Sequence, residues 1–266
     1  MKFFLIFLFL FINIFASDNC DKLLTKLSGK QKDREVFIII DQTTPFSKHI
    51  RKNAVINIFA LLKPKTTVNI FTFSEYIKGK SISLVDRYYF YPNLNKVQRY
   101  EMGKKKLRKF DECYKSQYYG MRKKLASDIY DNFKDNKQSS KKSEILFSIK
   151  VISEKAIKFS SAKQKIVIIL SDMLENSIYT SFYGDKLKNL NIDKHIKIIK
   201  ENNLFGDFDN SDVIVIGAGI VDKENYRDGK DFMKLELLWK EYFKKSNAKL
   251  INFSTELEYP LKERYY

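Results

Sequence analysis

The chain has 266 residues, a formal net charge of +17, and 44% hydrophobic and 15% aromatic residues. That is enough apolar material for a core and excludes wholesale disorder, while nine Gly and four Pro exclude a collagen-like or linker-dominated chain. Two Cys and two His (His49 and His195) exclude a disulfide-rich scaffold and a four-thiolate zinc site, and leave little room for histidine chemistry.

Residues 1–16 have the pattern of a Sec signal peptide. One Lys precedes an apolar run from Phe3 to Ala16, broken only by Asn13, and Ala16 is a small residue at the cleavage point. The run is short for a bilayer span, which needs about 20 apolar residues; an uncleaved anchor is the alternative. Asp18 and Asn19 stand immediately before Cys20, where a lipoprotein site wants small residues, so lipidation is set aside. The expectation is an exported chain, periplasmic or secreted, of residues 17–266, with a net charge of +16 once Lys2 is removed. Such an excess suits an anionic neighbour, although a lysine-rich codon bias would also produce it. In an oxidising compartment Cys20 and Cys113 can pair, closing a loop of roughly 90 residues worth ~4 kcal/mol.

The first strand pattern is Val36 to Ile40, ended by Asp41. A helix follows over 46–62, with Phe46, Ile50, Ala54, Ile58 and Leu61 on one face, and stops before Pro64. Val68 to Phe73 and Ser81 to Val85 read as the second and third strands. Residues 86–142 break the rhythm. They hold 16 Lys or Arg against seven Asp or Glu, and 11 Tyr or Phe beginning with Tyr88-Tyr89-Phe90-Tyr91. This segment reads as a basic, mostly helical insertion; its candidate binding residues are Lys104, Lys105, Lys106, Arg108, Lys109, Arg122, Lys123 and Lys124. Then come a helix over 144–159, a strand Ile166 to Leu170 ended by Ser171-Asp172, and a helix from Asp193 to Asn202. A strand Val213 to Ile216 ends at Gly217, and a helix over 231–245 and a strand Leu250 to Phe253 close the set. Continuous β-branched runs belong to strands covered on both faces. The fold class is therefore α/β: an open, mostly parallel, doubly wound sheet with helices on both sides, forming one domain over 17–266 interrupted by 86–142.

In open α/β sheets ligands bind beyond the carboxyl ends of the strands. Asp41 and Asp172 each follow a buried strand, and Thr43, Ser139, Ser140 and Ser143 are hydroxyls within reach of that edge. Two carboxylates with hydroxyls suit a hard cation such as Mg²⁺ or Mn²⁺. The order resembles the von Willebrand factor A (VWA) domain, with its Asp-x-Ser-x-Ser after the first strand, a Thr before a central helix and an Asp after the fourth strand. Asp41 and Thr43 match the first two positions and Asp172 the last; Ser143 or Ser140 stands for the Thr, and Val215 to Gly219 is similar to the family's fifth strand and glycines. Pro45 stands where the second motif hydroxyl belongs, and Met173 follows Asp172 where the family usually has Gly.

The resemblance implies a degenerate metal-ion-dependent adhesion site at Asp41, Thr43, Ser143 and Asp172. It also implies a non-enzymatic binding module whose protein partner offers an acidic residue to the metal. The alternative places function in the insertion, where Lys and Tyr interleave as in binders of nucleic acid, lipid heads or cell-wall polymer. A hydrolase is the third reading, and it has no nucleophile–base motif. Three further signals are read as structural: Gly217-Ala218-Gly219, which has Asp222 at the third glycine position of a dinucleotide loop; the two His; and the sequon Asn252-Phe253-Ser254.

Overall fold

The structure is a computed structural model that describes residues 16–29, 32–74, 82–133, 142–183, 185–220 and 228–257. Residues 1–15, Ser81, Ser139, Ser140, Asp222 and the aromatic tail from Tyr259 lie outside the described residues. A helix α1 (Ala16–Ser28) leads into β1 (Arg34–Asp41), α2 (Lys48–Ala60), β2 (Thr66–Phe73) and β3 (Ile82–Phe90). Helices α3 (Lys96–Glu101) and α4 (Lys104–Asn132) follow, then α5 (Ile145–Ile152), which continues as a π-helical turn, Ser153–Ile157. The chain closes with β4 (Gln164–Leu170), α6 (Asp185–Lys188), α7 (Ile192–Glu201), β5 (Ser211–Ile216), α8 (Gly229–Lys245) and β6 (Ala248–Ser254).

One six-stranded sheet carries the order β3-β2-β1-β4-β5-β6. Every neighbouring pair is parallel except β2 and β3, which run antiparallel at one edge. The architecture is the open, doubly wound, mostly parallel α/β sheet expected from the strand patterns. In β1 the alternation is read out on both faces. Phe37 and Ile39 pack with Val167, Ile169, Val215 and the inner faces of α5 and α8. Val36, Ile38 and Ile40 pack with Ile50, Ala54 and Ile58 of α2 and with Leu125 and Ile129 of α4. A third, smaller cluster joins Leu24 of α1 and Phe110 of α4 to Tyr89 and Tyr91.

β1 has a charged start that is nonetheless buried. Glu35 is 1% exposed and accepts from Lys32 Nζ (2.9 Å), Asn69 Nδ2 (3.0 Å), Arg87 Nη2 (3.0 Å) and Ser160 Oγ. Burial pushes its carboxyl up, but the bonds from Ser160, Lys32 and Asn69 outweigh that and hold it below its usual range. The network ties β1, β2 and β3 together at the amino end of the sheet.

The third strand is longer than expected. It runs past Val85 to Phe90, so residues 86–90, assigned by composition to the insertion, belong to the sheet. Asp86 and Arg87 break the apolar pattern of the strand, and both are paired within the fold, Asp86 with Lys124 and Arg87 with Glu35 and Asn69. The insertion is helical, as expected, with α4 running unbroken for 29 residues. Cys20 and Cys113 form a disulfide that joins α1 to α4, Cα to Cα 5.5 Å. Among the described residues no helix is long and apolar enough to cross a membrane.

Candidate binding site at the carboxyl edge of the sheet

From β1 the chain winds outward to β2 and β3, then returns to the other side of β1 as β4 and proceeds to β5 and β6. The crevice at this switch point, beyond the carboxyl ends of β1 and β4, is where such sheets bind ligands. Asp41 is the last residue of β1, and Ser171 and Asp172 directly follow β4, whose Leu170 lies in register with Ile40.

The loop after β1 is folded by Asp41 itself. Its Oδ1 accepts from the Thr43 backbone N–H (2.8 Å) and from Thr43 Oγ1 (2.6 Å), an Asx-type turn. Its Oδ2 accepts from Ser171 Oγ at 2.8 Å, and Ser143 Oγ lies 3.5 Å away. Ser143 Oγ is also 3.1 Å from Thr43 Oγ1. Three chain segments separated by about 100 and 130 residues thus converge on one carboxylate. Ser143 is held there by its own backbone, which exchanges hydrogen bonds with Asn176 in the loop after β4 (3.1 and 2.9 Å). Asp41 is fully buried, Ser143 and Asp172 nearly so. Burial pushes the Asp41 carboxyl above its usual range, against the pull of the hydrogen bonds from Thr43, Ser171 and Thr44.

Asp172 sits beside this cluster and is tied to it through Thr44, whose Oγ1 accepts from the Asp172 backbone N–H at 3.1 Å. Its Oδ1 accepts from Leu174 N (2.8 Å), and its carbonyl accepts from Gly219 N (2.9 Å). Met173, next in the chain, has a φ of +60°, a left-handed conformation that costs an L side chain ~1–2 kcal/mol. It is held by Ser171 Oγ on its N–H (3.0 Å) and by Trp239 Nε1 on its carbonyl (2.9 Å). Gly217, at φ +98°, lies so close to Phe46 that a Cβ would stand 2.5 Å from the ring. Gly217 therefore serves a tight backbone passage over Phe46.

Sequence reasoning missed Thr44, Ser171 and Glu175. Ser171 carried a signal, a hydroxyl between a buried strand and the Asp. Thr44 carried one only through its place between Thr43 and Pro45. Glu175 has no local signal, because it caps a helix that precedes it by 30 residues. It is fully buried and accepts from Leu146 N of α5 at 2.9 Å, where the helix's own N-cap, Glu144, makes no side-chain bond.

The other candidates fall away from this edge. His49 pairs with Glu256 (3.0 Å) and His195 Nδ1 bonds Thr180 Oγ1 (2.8 Å). Asn252 is in β6 with its Nδ2 on Val215 O (3.3 Å) and Ser254 Oγ (2.7 Å). Of the basic set, Lys104, Lys105, Lys106, Arg108, Lys109 and Lys123 are exposed along α4. Arg122 instead lies 4.4 Å over the Phe59 ring, and Lys124 bonds Asp86, Asp128 and Tyr88.

What the edge site offers chemically is oxygen only: two carboxylates and the hydroxyls of Thr43, Ser143 and Ser171. Among the described residues no three His, Cys, Asp or Glu come together as a metal-ligand cluster. Any cation here would rest on hydroxyl and carboxylate oxygens together, a donor set suited to Mg²⁺ or Mn²⁺ rather than to a softer metal. Fold and site define an open α/β protein with a buried cluster of carboxylate and hydroxyl oxygens at its topological switch point. No protein-family model matches the chain, and the search of curated proteins found no match.

Proposed function

We propose that this chain is an exported, VWA-like binding module that contacts a protein partner through the carboxyl edge of its sheet and catalyses no reaction. The observation that carries the reading is the convergence of Thr43, Ser143 and Ser171 on the Asp41 carboxylate, with Asp172 alongside. The strand order, with its single antiparallel edge strand, supports it. So does the helical conformation of Met173, which is left-handed at the position where the family usually places Gly.

In this reading Asp41, Thr43 and Ser143, with Asp172, hold Mg²⁺ or Mn²⁺. The ion supplies a Lewis-acidic point to which an acidic residue of the partner binds. The hydroxyls of Thr43 and Ser143 would supply neutral oxygen donors to it, and Thr44 holds the Asp172 backbone in place. Because burial already favours the protonated Asp41, the cation competes with a proton, and affinity falls as pH is lowered.

Calorimetric titration of the protein with Mg²⁺ and with Mn²⁺, beside Asp41→Ala, tests this. Binding by the wild type that is lost in the variant is expected. Equal heats from both proteins would reject the site.

A further inference from the structure

Helix α4 is built against its own local preferences. Lys104, Lys105 and Lys106 fill its first turn, where the helix dipole favours acids, and Gly103 at the N-cap makes no side-chain bond. What holds the helix is its other side, where Phe110, Leu125 and Ile129 are fully buried and Cys113 is bridged to α1. The outward side carries Lys104, Lys105, Lys109, Lys115 and Lys123, spread over roughly 140° of the helix circumference and about 29 Å of its length. All five are exposed, and none pairs with a carboxylate among the described residues.

We propose that this face of α4 rests on an anionic lipid surface. Two observations favour lipid over nucleic acid. First, the free cations are lysines, which act as point charges toward headgroups. The arginines that could fork onto phosphates or bases are engaged elsewhere: Arg99 bidentate on Asp111 (2.7 and 2.8 Å), Arg108 near Glu112 (3.7 Å) and Arg122 over Phe59. Second, the same segment exposes Tyr119 on α4 and Val97 and Tyr100 on the preceding α3, side chains that suit the headgroup level.

The test is flotation of the full chain with vesicles of phosphatidylcholine, and of phosphatidylcholine mixed with phosphatidylglycerol, at rising salt. A Lys105→Gln/Lys109→Gln/Lys115→Gln variant is run beside Lys105→Arg/Lys109→Arg/Lys115→Arg. The wild type and the arginine variant should prefer the anionic vesicles, and salt should erase the preference. The glutamine variant should lose on the order of 100-fold of it, since each surface lysine accounts for about fivefold. Equal binding of the wild type to both vesicles, or equal anionic preference in the glutamine variant, would overturn the proposal. So would tighter binding to double-stranded DNA than to anionic vesicles with loss in the same variant, which would make the face a nucleic-acid surface.

Discussion

Two buried carboxyls, Asp41 and Glu175, both have raised affinity for protons because burial penalises their charge. Glu175 is the clearer case. Burial pushes it from its ordinary 4.5 up to about 8, against the pull of Ser177 and the backbone N–H groups of Leu146 and Ile145. The folded state thus binds this proton more tightly than the unfolded chain does. Its contribution to stability is fully present below about 4.5 and is lost as pH rises through about 8. Glu175→Gln keeps an acceptor for Leu146 N and removes the titration. Urea midpoints measured from pH 5 to 8 should therefore fall in the wild type and stay flatter in the variant; parallel slopes would contradict the assignment. The role of Glu175 was not legible in the sequence. Asp41 could be placed because it ends a buried strand. A cap offered to an earlier helix, and a hydroxyl brought next to Asp41 from Ser171, exist only once β1 and β4 are neighbours.

At the scale of elements, the strands were legible because β-branched runs covered on both faces leave an uninterrupted apolar signal. β1, β4 and β5 have it in full. β3 was cut short at Val85 because Asp86 and Arg87 interrupt the apolar pattern, and the partners that satisfy them, Lys124 of α4, Glu35 of β1 and Asn69 of β2, are set by the fold. Helix α4 was legible as helix but not as one 29-residue rod, since its basic first turn has neither cap nor acid to announce it. Its stability comes from packing and from the Cys20–Cys113 bridge. Reducing that bridge, or replacing both cysteines with Ser, should lower stability by about 2–4 kcal/mol. The readout is the melting temperature with and without dithiothreitol, which should drop to the value of the double Ser variant. No drop would mean that α1 and α4 hold each other without the link.

Over the whole molecule, a buried cluster of acidic and hydroxyl oxygens lies at the switch point between β1 and β4, whereas the outward side of α4 concentrates exposed lysines. The doubly wound order was legible from strand–helix alternation, and the edge location of the site followed from it. Which serine joins Asp41 was not legible, because Ser140 and Ser143 both precede the helix in sequence. Ser143, paired through its backbone with Asn176, brings its hydroxyl to the cluster; Ser140 lies outside the described residues. The most direct test of the central claim is a crystal structure of the protein soaked in Mn²⁺, read by its anomalous scattering. A peak among the oxygens of Asp41, Thr43 and Ser143, absent from Asp41→Ala crystals, is the expected result. Mn²⁺ found only elsewhere, with Thr43 and Ser171 still donating to Asp41, would contradict a cation site at this edge.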